Sequence, residues 1–256
     1  AAETLAAAVV ADAAADAVTA EPNGFIELGL APELVQAVAD LGYTQPTSVQ
    51  LKAIPLAMGS GNDSTSFIDL MVSSQTGSGK TAAFLLPVLH TLIQQQAAAE
   101  TEERAAFERA VAEAAARGEP APKRAKRKDP TNSRNFKAAT PGALILCPTR
   151  ELAQQVAHDA IDLVKHCRGL RVANVVGGMP YQLQIAKLQN ANLVVATPGR
   201  LLDLQRSMQI KLDKVQFLVV DEADRMLDLG FSDDLAELNQ LTAQRKQTMM
   251  FSATFA

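Results

Sequence analysis

Short apolar runs alternate with helix-like segments from about residue 68 to residue 251. The runs are rich in β-branched residues, and continuous apolar strands are typical of a parallel sheet that is covered on both faces. The pattern predicts strands at about 68–73, 143–147, 171–176, 192–196, 215–220 and 247–251. Between them it predicts helices at about 80–95, 150–166, 180–189, 198–206 and 222–228 and beyond. We therefore expect an α/β fold with a parallel β-sheet and helices on both faces.

Two segments stand outside this alternation. Residues 1–22 are an alanine-rich, low-complexity tail, for which we expect disorder or weak helicity. Residues 23–256 form one domain, in which helices at about 25–40 and 48–58 precede the first strand.

An insertion at about 94–140 interrupts this domain. Its first half, 94–117, is rich in Ala, Glu and Arg and is a good helix former, which Gly118 and Pro120 end. Five of the six residues 123–128 are then basic. A long connection of this kind is usually functional or disordered, so we expect a flexible insertion, with an auxiliary RNA-binding arm as one reading and a solvated insertion as the other.

The charge distribution limits how the chain can contact nucleic acid. The formal net charge is −4, but the insertion contains 10 basic and 7 acidic residues. The remainder of the chain is therefore clearly acidic, which argues against a generally basic nucleic-acid binder. Contacts on the main body must come from placed main-chain groups and a few side chains.

Other patterns exclude further classes. No run of about 18 apolar residues is present, so we expect no membrane span. The alanine-rich start carries acidic residues and no basic cluster, unlike a signal peptide. Cys147 and Cys167 give no disulfide framework, which favours a cytoplasmic location. His90, His158 and His166 show no metal spacing, and we expect all three to lie in helices.

A glycine-rich turn, SQTGSGKT at 74–81, lies between the first predicted strand and a helix. Main-chain N–H groups and the helix dipole make such a turn an anion site. Lys80 would reach the β- and γ-phosphates, and Thr81 would bind Mg²⁺. Ser74 departs from the strict pattern, which begins with Gly, so a chance Gly-Ser loop is the alternative.

The acidic sequence DEAD occupies 221–224, after the predicted strand 215–220. Ligands bind at the carboxyl ends of strands in open α/β sheets, so these acids should face the glycine-rich turn. The two motifs together predict a P-loop NTPase with a RecA-like sheet. An exposed acidic turn is the alternative for Asp221 and Glu222.

Several motifs occur in a fixed order along the chain. They are Phe25, GYTQPTSVQ at 42–50, SQTGSGKT at 74–81, PTRELA at 148–153, Gly177-Gly178, TPGR at 197–200, DEAD at 221–224 and SAT at 252–254. Over roughly 23–93 and 141–256, this order strongly resembles the N-terminal RecA-like domain of DEAD-box RNA helicases.

The resemblance implies an ATP and Mg²⁺ site. Gln50 would read the adenine edge, since an amide can donate and accept at once, and Phe25 would lie near the base. A glutamine on the helix surface is the alternative for Gln50. Asp221 and Thr81 would be on the Mg²⁺ side, and Glu222 would position and deprotonate the attacking water. Further nucleotide-binding positions carried over from the family are Tyr43, Thr44, Gln45, Ser74, Gln75, Thr76, Gly77, Ser78, Gly79 and Lys80.

The resemblance also implies a coupling element and an RNA surface. Ser252 and Thr254 would hydrogen-bond Asp224 and link the nucleotide site to domain movement, with a simple strand end as the alternative. The RNA-backbone positions would be Thr149, Arg150, Gly178, Thr197, Gly199 and Arg200. Contacts to phosphate and sugar predict binding without sequence preference, although either arginine could instead be a structural ion-pair partner.

Family members continue into a second RecA-like domain, whose motif His-Arg-x-Gly-Arg-x-x-Arg has no match in this chain. We therefore expect a piece of a longer ATP-dependent helicase that binds RNA and hydrolyses ATP feebly alone. An ATP-gated RNA clamp that assembles ribonucleoproteins is the first alternative, and a DNA translocase is the second.

Overall fold

Within the residues that the computed structural model describes (7–11, 24–59, 66–75, 79–126 and 133–254), seven parallel strands form one sheet. In chain order the strands are β1 Ala7–Ala11, β2 Asp69–Ser73, β3 Ala143–Leu146, β4 Val172–Val175, β5 Leu193–Ala196, β6 Phe217–Val220 and β7 Gln247–Ser252. Their order across the sheet is β1-β2-β7-β6-β3-β5-β4. All six strands predicted from the sequence are present, within two residues of the predicted ends.

The helices connect these strands and precede β2. They are α1 Gly24–Glu27, α2 Pro32–Asp40, α3 Ser48–Ala57, α4 Lys80–Ala116, α5 Arg150–Leu163, α6 Tyr181–Leu188, α7 Pro198–Arg206, α8 Ala223–Asp228 and α9 Ser232–Leu241, with a 3-10 turn at Ser133–Asn135. Thr47 begins α3 with a capping box, in which its hydroxyl accepts from Gln50 N and its N–H donates to the Gln50 side chain. Among the described helices, none is both long and apolar enough to cross a bilayer.

The sheet separates two hydrophobic cores. Successive residues of a strand point to opposite faces, so Ile145 packs into the core under α2 to α5 and Leu144 into the core under α6 to α9. Every residue of β3, β5 and β6 is buried. The prediction of a RecA-like parallel sheet with helices on both faces is confirmed.

The sheet order places the functional segments along one edge. The carboxyl ends of β2, β7 and β6 are neighbours, and those of β3, β5 and β4 are neighbours beside them. The glycine-rich turn, SAT and DEAD therefore follow one half of the sheet. PTRELA, Gly177-Gly178 and TPGR follow the other half.

The expectation of a disordered or weakly helical tail is wrong for residues 7–11. These residues form β1, which pairs in parallel with β2 from Ala7↔Asp69 to Ala11↔Ser73. Val10 is only 3% exposed, so β1 packs a side chain into the hydrophobic core and also extends the sheet by one edge strand. The run of alanines hides this strand, because alanine shows neither period 2 nor β-branching. The rest of the predicted tail, 1–6 and 12–22, lies outside the described residues.

Helix α4 is longer than predicted. It runs for 37 residues, so the first half of the presumed flexible insertion is a continuation of the helix that begins at Lys80. Residues 94–116 contain no Gly or Pro to stop it. The predicted end is confirmed, since Arg117 is the C-cap and Gly118 follows with φ +72°.

Two of the three histidines lie in helices as predicted. Cys147 is fully buried, and burial raises the pKa of its thiol well above the usual value. His90 lies in α4 and His158 in α5, but His166 lies in the turn after α5 because that helix ends at Leu163.

Candidate functional site

Lys80 lies between the two acids that follow β6. Its Nζ is 3.0 Å from Asp221 Oδ1 and 3.2 Å from Glu222 Oε2. Asp221 is fully buried, which excludes the exposed acidic turn as a reading of this segment. The first residue of α4 and the end of β6 are 141 residues apart in sequence, and the parallel sheet brings them together.

Burial controls the electrostatics of this pair. Burial alone would lower the pKa of Lys80, but Asp221 and Glu222 outweigh it and raise that pKa, so the ammonium stays charged. Burial raises the pKa of Asp221, because the cost of removing this carboxylate from water exceeds what Lys80 returns. A further cation beside Asp221 would offset the rest of the desolvation cost of this carboxylate.

Glu222 has a strained main-chain conformation. Its φ and ψ are 50° and 54°, in the left-handed region that residues with a side chain rarely adopt. Arg225 Nη1 lies 3.6 Å from Glu222 Oε1, while Glu222 Oε2 faces Lys80. Strained conformations of this kind cluster at functional sites, and this one directs the carboxylate into the pocket above the glycine-rich turn.

The glycine-rich turn requires glycine at position 79. Gly79 has φ +82°, and a Cβ there would lie 2.5 Å from Gln50 Nε2 and 2.8 Å from Thr47 Oγ1. The turn therefore packs directly against the start of α3. Thr76, Gly77 and Ser78 lie outside the described residues, and their predicted roles stay predictions.

A cavity of about 510 Å³ opens above this turn. Lys80, Thr81 and Glu222 line one end of it. Other predicted nucleotide residues in its wall are Phe25, Tyr43, Gln45, Gln50 and Gly79. Phe25 is 3% exposed and contributes an apolar wall, whereas Tyr43 is 62% exposed at the rim.

Gln50 is buried at 6% exposure, so it is not a surface glutamine. Its Nε2 donates to Gly79 O at 3.1 Å, and its Oε1 accepts from Thr47 N at 3.0 Å. A primary amide has two N–H donors and two acceptor lone pairs. One donor and one lone pair therefore remain for a ligand in the cavity.

Three further predicted residues lie elsewhere. Ser74 is buried in the wall of a smaller cavity of about 170 Å³, next to Lys80, Glu222 and Asp224. Within the described part of the chain, Thr44 and Gln75 line neither cavity. Both side chains are exposed, and the main-chain carbonyl of Thr44 accepts from Gly24 N at 3.2 Å.

The predicted coupling element is present in part at the same edge. Thr254 Oγ1 donates to Asp224 Oδ2 at 3.1 Å as expected, but Ser252 Oγ donates to Thr254 O at 2.7 Å instead of to Asp224. Burial acts to raise the pKa of Asp224, but nearby hydroxyl and main-chain donors outweigh it, and the pKa lies below its usual value. Ser74 N also donates to Ser252 O at 3.0 Å, which joins the glycine-rich turn to SAT.

The first group of predicted RNA residues lies at the ends of β3 and β4. Thr149 is the N-cap of α5, and its hydroxyl oxygen accepts from Leu152 N at 3.2 Å, so its O–H can still donate outward. Arg150 Nη1 lies 3.5 Å from Gly177 O. A Cβ on Gly178, where φ is +81°, would meet Arg150 Nη1. Glycine here lets the arginine cross the loop.

The second group follows β5. Thr197 is the N-cap of α7, but its side chain makes no capping hydrogen bond. Gly199 faces open space, since a Cβ built there would meet nothing within 4 Å. In the described part of the chain, neither Arg200 nor Arg150 forms an ion pair, which disfavours a purely structural role for either.

Two residues that the sequence analysis missed hold Arg200. Gln184 Oε1 accepts from Arg200 Nη1 at 3.2 Å, and the buried Gln184 amide also donates to Val176 O. The Arg200 guanidinium carbon lies 5.6 Å from the centre of the Tyr181 ring. Only the 1% exposure of Gln184 marks it as unusual, and exposure cannot be read from a single sequence.

The family model described as DEAD/DEAH box helicase matches residues 47–256. The chain belongs to this family. It is 38% identical over 239 residues to "DEAD-box ATP-dependent RNA helicase 52A" of Oryza sativa subsp. japonica, covering 91% of this chain and 34% of the relative. It is 37% identical over 231 residues to "ATP-dependent RNA helicase SrmB" of Haemophilus influenzae, covering 90% and 42%.

Solved structures of DEAD-box proteins have the same fold. A DEAD box protein from Methanococcus jannaschii superposes with a TM-score of 0.66 at 31% identity, covering 92% of this chain and 51% of that one. A hypothetical ATP-dependent RNA helicase from Sulfolobus tokodaii superposes with a TM-score of 0.62 at 33% identity, covering 87% of this chain and 50% of that one. The DEAD-box chain described here thus spans about half or less of the length of each of these relatives.

Proposed function

We propose that this chain is the ATP-binding domain of an ATP-dependent RNA helicase, and that it separates short RNA duplexes together with a second RecA-like domain. The observation that carries the proposal is the buried Lys80–Asp221 pair, 3.0 Å apart, at the end of a cavity whose wall contains Gln50. Lys80 and Asp221 would lie at the phosphates of ATP and their magnesium ion, and the Gln50 amide would hydrogen-bond adenine.

The acidic residues fit a magnesium ion. Asp221 Oδ2 and Ser74 Oγ are buried and have no hydrogen-bond partner among the described residues. An unpartnered carboxylate oxygen is costly, and oxygen ligands are what Mg²⁺ prefers. Asp221 and Thr81 would hold the ion, partly through water. When bound, it would neutralise charge on the phosphates.

The side chains divide the work of phosphoryl transfer. Lys80 neutralises and positions the β- and γ-phosphates, and Glu222 orients the attacking water and accepts its proton. Thr254 and Ser252 tie Asp224 to the same edge, so a change at the γ-phosphate can reach the interface with a second domain. Positioning and electrostatics supply most of the catalysis, because the transferred group needs little covalent help.

RNA would bind at the other half of the carboxyl edge. Thr149, Arg150, Thr197 and Arg200 offer donors to phosphates, and Gly178 and Gly199 leave room for the strand. These are contacts to the backbone, so we expect binding without sequence preference. Discrimination of RNA from DNA would require a contact to the 2′-hydroxyl.

Nucleotide titrations of the 256-residue chain test the proposal. Lys80→Ala should weaken Mg²⁺-ADP binding by at least about tenfold, or ~1.4 kcal/mol. Asp221→Asn should reduce the benefit of adding Mg²⁺. Equal binding by the wild type and both variants, all still folded by thermal melting, would contradict this site.

The unwinding step is tested with the full-length protein. Strand separation that needs ATP and is lost in Glu222→Gln would support a helicase. ATP-dependent retention of RNA with little strand separation would favour the RNA clamp that assembles ribonucleoproteins. Equal stimulation of ATPase activity by DNA and RNA would favour a DNA translocase.

A further inference from the structure

A polar cavity of about 300 Å³ lies at the amino edge of the sheet, opposite the nucleotide site. Its wall is made by the residues just before β3, β4 and β5. The lining residues are Lys137, Ala138, Ala139, Thr140, Gly169, Arg171, Asn190, Ala191 and Asn192. The wall thus contains two cations and no carboxylate.

The two cations of this cavity are available to a ligand. Lys137 and Arg171 are both exposed, and neither forms an ion pair with any carboxylate in the described part of the chain. Asn192 Oδ1 accepts from Arg171 N at 2.8 Å, which occupies one lone pair of that oxygen and leaves its NH₂ as a donor. With two cations and no carboxylate in the wall, the charge of the cavity suits an anion.

The floor of the cavity is closely packed. Gly169 has φ +77°, and a Cβ there would lie 2.6 Å from Gln96 Nε2 of α4. Asn190, on another side, has φ 59°. The cavity therefore depends on a glycine that admits α4 and on a turn that places Asn190 and Asn192 together.

A basic segment leads from α4 towards this cavity. Residues 120–126 and 133–140 include Lys123, Arg124, Lys126, Arg134 and Lys137 and contain no Asp or Glu. The Arg124 guanidinium carbon lies 5.2 Å from the centre of the Phe107 ring, so the chain returns along the side of α4 after the helix ends. Residues 137–140 then form one wall of the cavity.

This surface is separate from the carboxyl edge. Phe107 lies 27 residues after Lys80 in the same helix, which corresponds to about 40 Å along its axis. Arg124, which lies over Phe107, is therefore far from a nucleotide at Lys80. Gln96, which packs against Gly169 of the cavity, lies 16 residues after Lys80 in the same helix, or about 24 Å along its axis. A polymer that contacts both edges must therefore be extended.

The surroundings favour RNA over an acidic protein segment. The cavity wall has no large apolar residue, whereas protein interfaces are usually anchored by buried aromatic or aliphatic side chains. Phe136, directly before Lys137, is 46% exposed. An exposed aromatic ring beside cations is typical of surfaces that stack bases and hold phosphates of single strands.

We propose that the amino-edge surface, defined by Phe136, Lys137 and Arg171, is a second binding site for the backbone of single-stranded RNA. This second site rests on the proposed function only because RNA is assumed to be the nucleic acid that the protein binds. It requires neither ATP nor the carboxyl-edge contacts. It would hold RNA on the domain while the carboxyl edge engages and releases it.

Salt titrations of RNA binding test this site. The 256-residue chain is titrated with a fluorescein-labelled single-stranded RNA, without nucleotide, at several salt concentrations. Lys137→Gln and Arg171→Gln should each weaken binding several-fold at low salt and flatten the slope of log K against log salt by about 0.7. Phe136→Ala should weaken binding without changing the slope.

A matched control and a competitor give the contradicting outcomes. Lys52→Gln removes an exposed charge from α3 and should leave affinity and slope unchanged. Slopes for Lys137→Gln and Arg171→Gln equal to that of the wild type would overturn the proposal. Displacement of RNA by polyglutamate as efficiently as by unlabelled RNA would assign the surface to an acidic protein segment and also overturn it.

ADP binding, measured on the same samples, separates the two proposals. Unchanged ADP binding in both variants, together with flattened slopes, supports the amino-edge site by itself. If the wild type fails to bind ADP, the proposed nucleotide site is refuted. The salt slopes of the variants then still test the amino-edge RNA site independently.

Discussion

Gly79 is the residue at which conformation and packing constrain the nucleotide site together. In Gly79→Ala, alanine would have to keep the left-handed main-chain conformation of Gly79, which costs it about 1–2 kcal/mol. Its Cβ would also lie 2.5 Å from Gln50 Nε2. Gly29→Ala is the matched control, because Gly29 has φ +78° and open space around its Cβ position. We expect both variants to lose thermal stability but only Gly79→Ala to lose ADP affinity, measured by calorimetry. Equal ADP affinities would contradict the close contact of turn and α3.

His90 makes the stability of the domain depend on pH. Its Nδ1 accepts from Ala31 N at 3.0 Å at the start of α2, and burial lowers its pKa. The fold therefore favours the neutral ring, and this stability is present above the unfolded pKa of about 6.5 and lost as the pH falls through and below it. Protonation would leave the buried Ala31 N–H without its acceptor, which costs about 1–3 kcal/mol.

Urea unfolding at pH 7.5 and at pH 5.5 measures this dependence. His90→Gln keeps an acceptor and should lose less stability on acidification than the wild type. His158→Gln, at an exposed histidine of α5, should behave like the wild type. The same acid sensitivity in all three proteins would show that His90 is not responsible.

Gln184 is expected to act through Arg200. Gln184→Leu removes the acceptor of Arg200 Nη1, so RNA affinity should fall while ADP affinity stays unchanged. In a double-mutant cycle with Arg200→Gln, the two losses should not add, because each removes the same placed guanidinium. Additive losses of RNA affinity would contradict a positioning role.

The residues that sequence motifs could identify are those whose type is fixed by chemistry. The acids after β6 were predicted to face the glycine-rich turn, and Lys80 does lie 3.0 Å from Asp221, because ligand sites in open α/β sheets form at the carboxyl ends of the strands. The contact of Thr254 with Asp224 was expected from the family resemblance alone. The motif for Gln50 predicts a ligand role. Its contact with Thr47 N is the local capping box of α3, but its contact with Gly79 O comes from the approach of α3 to the turn. No local pattern contains that approach.

At the scale of elements, β1 is the strand that the sequence conceals. Val10→Ala should lower the free energy of unfolding by about 1–2 kcal/mol, because this side chain is 3% exposed in the core under α2 and α3. Denaturant unfolding measures this loss. The control is Val111→Ala, at a half-buried residue of the α4 extension, which should lower the free energy of unfolding by less. An unchanged stability of Val10→Ala would contradict the pairing of β1 with β2.

Helix α4 joins two segments that the sequence predicted separately, the helix at about 80–95 and the helix-forming stretch 94–117. Its first turns carry the apolar residues of the core, including Phe84, Leu85 and Leu89. The later turns are mostly exposed, so core periodicity stops near residue 95 while the helix continues to Ala116 on propensity alone. The change in burial near residue 95 therefore hid the continuity of the two helical segments.

At the scale of the whole molecule, the two binding functions that we propose share one edge of a single sheet. The nucleotide half consists of the ends of β2, β7 and β6, and the proposed RNA half of the ends of β3, β5 and β4. The hydrogen bond from Asp221 N to Leu146 O at 2.9 Å lies where the two halves meet. This arrangement lets one rigid sheet hold both ligands in fixed relation.

The isolated chain should hydrolyse ATP slowly. An arginine finger supplied by another domain can be worth about 10³–10⁵ in rate, and we propose that the second RecA-like domain supplies it. RNA-stimulated ATP turnover by this chain alone should therefore stay far below about 1 s⁻¹. A rate of that order in a steady-state assay would contradict the division of labour between two domains.

We propose that the cavity above the glycine-rich turn selects adenine through Gln50. Fluorescence titrations with ADP and GDP test it most directly, on the wild type and on Gln50→Ala, with Gln155→Ala of the same cavity wall as the control. We predict that ADP binds better than GDP, and that Gln50→Ala alone removes this preference, at a cost of about 1–3 kcal/mol for ADP. Equal affinities for ADP and GDP in the wild type, or a preference that survives Gln50→Ala, would contradict the account.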